Sequence, residues 1–69
     1  MKPTLGETYA ALELEIKFMN EHIENETDEI TKNELRSLRT TLGQCLIQTR
    51  IIIDRKLRLS QEKYRNENT

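Results

Sequence analysis

The sequence predicts an all-α fold: an antiparallel, coiled-coil-like hairpin of two helices that dimerises into a four-helix bundle. Three observations carry this. Apolar residues recur at alternating steps of three and four along two stretches, a polar acidic break separates them, and the stretches match layer by layer when folded back on each other. The expected division is one helical-hairpin domain over residues 1–69, with helix 1 at about 4–26, a turn at about 27–31, helix 2 at about 31–65 and a disordered end at 66–69.

The first helix opens at a T-x-x-E capping box, Thr4 to Glu7, just after Pro3, where side chains can satisfy the orphan amides of the first turn. Leu5, Tyr9, Leu12, Ile16, Met19 and Ile23 then form an apolar seam that no strand would keep. The seam fails in ENETDEI. A second T-x-x-E, Thr31 to Glu34, is expected to open the next helix, with Leu35, Leu38, Leu42, Cys45, Thr49 and Ile52 as its seam. The step from Ile30 to Leu35 breaks the phase, so the two runs are not one continuous helix.

Facing residues in an antiparallel pair have a nearly constant sum of residue numbers. Ile23 with Leu35, Met19 with Leu38, Ile16 with Leu42, Leu12 with Cys45, Tyr9 with Thr49 and Leu5 with Ile52 all add to 57 or 58. Large residues thereby face the smaller Cys45 and Thr49, as interdigitated layers require. Gly43 interrupts the second helix with a cost of ~1 kcal/mol relative to alanine and marks a kink or a close approach of another backbone. The stripe through Leu42, Leu46, Thr49 and Ile53 keeps it within one helix.

At this length a core rarely supplies more than ~3–5 kcal/mol without a disulfide, a metal or a partner chain. Cys45 is the only cysteine and His22 the only histidine, so neither an intrachain disulfide nor a structural zinc site is available. Oligomerisation is the remaining staple. Leu14 and Phe18, with Ala11, lie off the first seam, and Ile47 and Ile51 lie off the second. Burying each large one is worth ~1.5–3 kcal/mol at most, comparable to the stability of the lone hairpin, so these residues are expected to form an oligomer or partner interface. Helix 2 is also the longer, at about 34 residues against about 22, and past Ile53 it has no facing segment. Leu57 and Tyr64 continue its phase there and join the expected interface.

Catalysis is not expected. The register sets His22 about ten residues along the second helix from Cys45, ~15 Å away at 1.5 Å per residue, too far for a nucleophile and its base. Cys45 reads as a small core residue and His22 as a surface one. No cofactor or metal is implied.

The net charge of −1 conceals a division: residues 4–30 carry −7 and residues 31–65 carry +6. Lys32, Arg36, Arg39, Arg50, Arg58 and Arg65 fall on one broad flank of helix 2. Such a stripe can neutralise phosphates and in this respect resembles the small RNA-binding four-helix bundles of the Rop type. Alternatively the cations pair with helix 1, Arg39 with Glu15 and Lys32 with Glu26. Asp54 and Ile47 interrupt the stripe, and no aromatic residue sits among its central members for base stacking. With no apolar run near the ~18 residues of a membrane span and no signal-like apolar stretch in MKPTLGET, the chain reads as cytoplasmic. The function expected is a small helical interaction protein, a regulator, inhibitor or adaptor that binds itself and another protein. Nucleic-acid binding is the alternative.

Overall fold

The computed structural model describes residues 2–67, which form two helices and no strand: α1 (Leu5–Asn25) and α2 (Glu29–Glu67). Thr4 caps α1 from an extended conformation, its Oγ1 accepting the Glu7 amide at 3.1 Å. Only the threonine half of the expected capping box forms among the described hydrogen bonds. Thr8 supplies a second tie by donating its hydroxyl to the Thr4 carbonyl at 3.2 Å.

The reversal is made by two carboxylates. Past Asn25 the backbone leaves the helix at Glu26, whose amide still reaches the Ile23 carbonyl at 3.4 Å. Glu26 Oε1 accepts the amides of Thr27 and Asp28, both at 3.1 Å. Asp28 Oδ2 accepts the Thr31 amide at 3.0 Å and the Thr31 hydroxyl at 2.6 Å. Asp28 is thus the N-cap of α2, which begins at Glu29 rather than at 31, where the second T-x-x-E suggested. A carboxylate at a helix N-terminus is a charged acceptor facing the positive end of the dipole, and here it also binds the threonine read as the cap. Among the described residues no backbone φ is positive, so the chain turns without a left-handed residue. At the other end, α2 runs through Glu67, and 66–67 are helical where a loose end was expected; 68–69 lie outside the described residues.

Burial tests the seam. On α1 it matches the expectation: Leu5, Tyr9, Leu12, Ile16 and Met19 are half-buried, and Ile23 is 6 % exposed. On α2 the seam is instead Leu35, Arg39, Leu42, Leu46, Thr49 and Ile53, all half-buried, while Leu38, Cys45 and Ile52 are exposed. Each facing pair, Leu5 with Ile53 through Ile23 with Leu35, now adds to 58.

The reason is axial spacing. Read downward from Ile53, α2 steps by four, three, four, three and four, the same order in which α1 steps upward from Leu5. Every layer then rises equally on both helices, whereas the row through Leu38, Cys45 and Ile52 slips by one residue, ~1.5 Å, in alternate layers. Leu46 also replaces Cys45 opposite Leu12, which buries more apolar area. Arg39 takes the layer of Met19 with its aliphatic stem and donates from Nη1 to Asn20 Oδ1 at 2.9 Å. Thr49 turns its hydroxyl back onto the Cys45 carbonyl at 2.7 Å, which satisfies it within its own helix.

The helix continues unbroken through Gly43, and a Cβ added there would meet nothing within 4 Å. No other part of the hairpin approaches it closely. The described molecule is a rod of 62 × 23 × 15 Å with a radius of gyration of 17.4 Å, against ~11 Å for a compact domain of this length.

Three outcomes check this fold. Cysteines introduced by Leu12→Cys and Leu46→Cys in a Cys45→Ser background should oxidise to an intrachain disulfide, whereas Leu12→Cys with native Cys45 should not; the reverse pattern restores the other seam. Gly43→Ala should stabilise by ~1 kcal/mol, a rise of ~4–8 °C in the melting temperature. The Thr31 hydroxyl and then the Thr31 amide hold the Asp28 carboxyl below its ordinary pKa. A depressed folded-state pKa gives stability that is present above the unfolded value and lost as pH falls through the folded one. Asp28→Ala should therefore melt lower than wild type at neutral pH, with the gap closing in strong acid; a gap independent of pH would remove the carboxylate from the cap.

Candidate interaction surfaces

Among the described residues no group of three His, Cys, Asp or Glu side chains is placed to hold a metal ion. Cys45, expected in the core, carries an exposed free thiol, and His22 is exposed as expected. The surfaces remain to be read.

The chain exposes 6006 Å², and among the described residues Ile23 alone is buried. A folded monomer of 8.2 kDa is expected to expose ~4,500 Å². The excess is ~1,500 Å², and Leu14, Phe18, Ile30, Leu38, Ile47, Ile51, Ile52, Leu57 and Leu59 are among the exposed side chains.

The structure divides the residues expected at an interface into separate places. Leu14 and Phe18, beside the exposed Ala11, occupy the outer side of α1, away from its seam. Ile47 and Ile51 occupy the outer side of α2. Helical periodicity from the buried seam points these two pairs away from each other, so one hairpin does not present them as a single patch. Leu57 stays in phase with the seam and lines an open, largely apolar groove of about 540 Å³ with Pro3, Leu5 and Ile53. The start of the α2 overhang is thus flanked by the segment before α1, not bare from Ile53 onward. Tyr64 lies in the last turns of α2, and its side chain lies outside the described residues.

One apolar row expected to face α1 does not. Leu38 (53 % exposed), Cys45, Ile52 (37 %) and Leu59 (56 %) recur every seven residues on the flank of α2 beside the seam. The signal that could have found it is Leu59. In a register adding to 58 no residue of α1 stands opposite position 59, so a row that continues through it is not built for α1.

The basic flank lies on the other side of the seam. Lys32 and Arg39 are half-buried, whereas Arg36, Arg50, Arg58 and Arg65 are exposed. Arg36 Nη1 donates to Asn33 Oδ1 at 2.9 Å, and Arg50 Nε approaches Asp54 Oδ2 at 4.0 Å within the same helix. Neither expected cross-helix pair forms. Glu26 spends its carboxylate on the turn amides, and Glu15 projects toward the opposite flank from Arg39, which bonds Asn20 instead. Among the described residues no ion pair bridges the two helices, and Arg36, Arg50, Arg58 and Arg65 lie exposed on one flank of α2.

Compared with family models, curated proteins and solved structures, the chain matches none of them. The described helices include none long and apolar enough to cross a membrane. The surfaces themselves carry the functional argument.

Proposed function

We propose that this chain is a non-enzymatic helical interaction protein, a small cytoplasmic regulator, inhibitor or adaptor that acts by binding protein and works as a homodimer in a four-helix bundle. The carrying observation is the surplus of exposed surface, with one buried residue among those described. Obligate homodimers bury ~2,000–5,000 Å² in total, or ~1,000–2,500 Å² per subunit, and the surplus of ~1,500 Å² falls in that range. A two-fold dimer of hairpins is the commonest closed way to cover such faces. The outer residues Leu14, Phe18, Ile47 and Ile51 then remain for a further protein partner.

The second reading is nucleic-acid binding, favoured by one observation: Arg36, Arg50 and Arg58 are exposed on the same flank of α2, apart from the apolar row. It predicts a retarded RNA or DNA band that weakens steeply with salt.

Light scattering coupled to size exclusion at tens of micromolar should give twice the chain mass of 8.2 kDa. A monomer would end the dimer proposal. In parallel, affinity purification from the native host with and without nuclease should return a protein partner in both cases. Nucleic acid in its place, with a retarded band abolished by Arg36→Glu and Arg50→Glu, would establish the second reading.

A further inference from the structure

We infer that two copies pair through Leu38, Cys45, Ile52 and Leu59, with their α2 helices antiparallel about a two-fold axis at the midpoint of α2. This rests on the proposal that the chain is a homodimer and specifies the face and the direction.

The occupant follows first from length. α2 has 39 residues and α1 has 21, and the row extends through Leu59, past the end of α1. The far end of the row lies beyond the reach of the α1 of the same chain, and the α2 of a second copy can cover the row along its whole length. Seven-residue recurrence of exposed apolar side chains is the pattern that seats one long helix against another. α2 already turns two adjacent rows to α1, and this third row completes the wide apolar face of a helix that contacts two neighbours.

Direction follows from the centre and the charges. The row spans 38–59 and the helix spans 29–67, so their midpoints coincide within one residue. An antiparallel two-fold that stacks the rows therefore also aligns the two helices end to end. Leu38 meets the partner's Leu59, and Cys45 meets the partner's Ile52; both pairs add to 97. In that register Glu34, exposed beside the row at one end, meets the partner's Lys63, exposed beside it at the other. The two-fold makes this opposite-charge pair twice. A parallel pairing in register would set Glu34 against the partner's Glu34 and Lys63 against the partner's Lys63.

The same register resolves the overhang. Residues of α2 past Ile53 come level with partner positions before 44, which is the turn-bearing half of the other hairpin.

The test uses the full chain in a Cys45→Ser background under mild oxidation. Leu38→Cys and Leu59→Cys are made singly. An equimolar mixture should form a disulfide-linked heterodimer on a denaturing gel, while each variant alone stays unlinked, its two introduced thiols lying ~30 Å apart across the axis. Self-linking of either single variant would establish a parallel pair and overturn the inference. In the wild-type background, Ile52→Glu should raise the dimer dissociation constant on the order of a hundredfold or more with helicity retained, whereas Ile51→Glu on the outer face should leave it unchanged. A wild-type dimer indifferent to Ile52→Glu would refute this face but keep the dimer, and a wild-type monomer at tens of micromolar would refute both.

Discussion

Equal axial rise in six consecutive layers is the constraint on which the rest of this molecule depends. Two antiparallel helices stay in contact only if each step along one is matched by the same step along the other. The four-three alternation from Leu5 to Ile23 and from Ile53 to Leu35 meets that condition. It fixes which side of α2 faces inward, and with it where every other side chain of α2 must go. Arg39 becomes a seam residue with its head group on Asn20, and Leu38 becomes a surface residue, from the same rotation. The basic flank and the apolar row are separated because the seam lies between them.

The seam is also thin. Full burial of one isoleucine contributes ~1.5–3 kcal/mol, and only Ile23 approaches full burial among the described residues. The remaining layers are half-open to water on both sides. A two-helix layer has no third element to close it, so the hairpin holds its register without enclosing a core. This places its apolar flanks, rather than its interior, at the centre of its energetics.

Much of this was legible in the sequence. The α1 seam was readable residue by residue because its two apolar rows are bordered by Thr8, Glu15 and His22 on one flank and Gly6, Glu13 and Asn20 on the other. On α2 three apolar rows run side by side, and choosing between the row through Cys45 and the row through Leu46 turned on a slip of one residue per layer. Size complementarity favoured Cys45 and Thr49 as small partners, while the equal steps favoured Leu46 and Ile53; spacing prevailed. The start of α2 was misplaced because Thr31 and Glu34 copy the T-x-x-E of the first helix, although Asp28 three residues earlier is the charged acceptor. Of the interface residues, exposure of Leu14, Phe18, Ile47 and Ile51 was readable from their phase. Their pointing in opposite directions was not, since it depends on the seam of both helices at once.

The rod shape has a consequence for motion. A body 62 Å long and 15 Å thin along its shortest axis spins quickly about its length and tumbles slowly end over end. Helical N–H bonds lie nearly along the helix axis, and both helices lie along the rod, so their amides report almost solely the slow tumbling. The amides of Thr27 and Asp28 leave both helical ladders and bond the Glu26 carboxylate where the chain crosses over. Wherever such an amide turns away from the rod axis, nitrogen relaxation would show a shorter effective correlation time even in a rigid reversal, and a reading that assumed isotropic rotation would mistake geometry for flexibility.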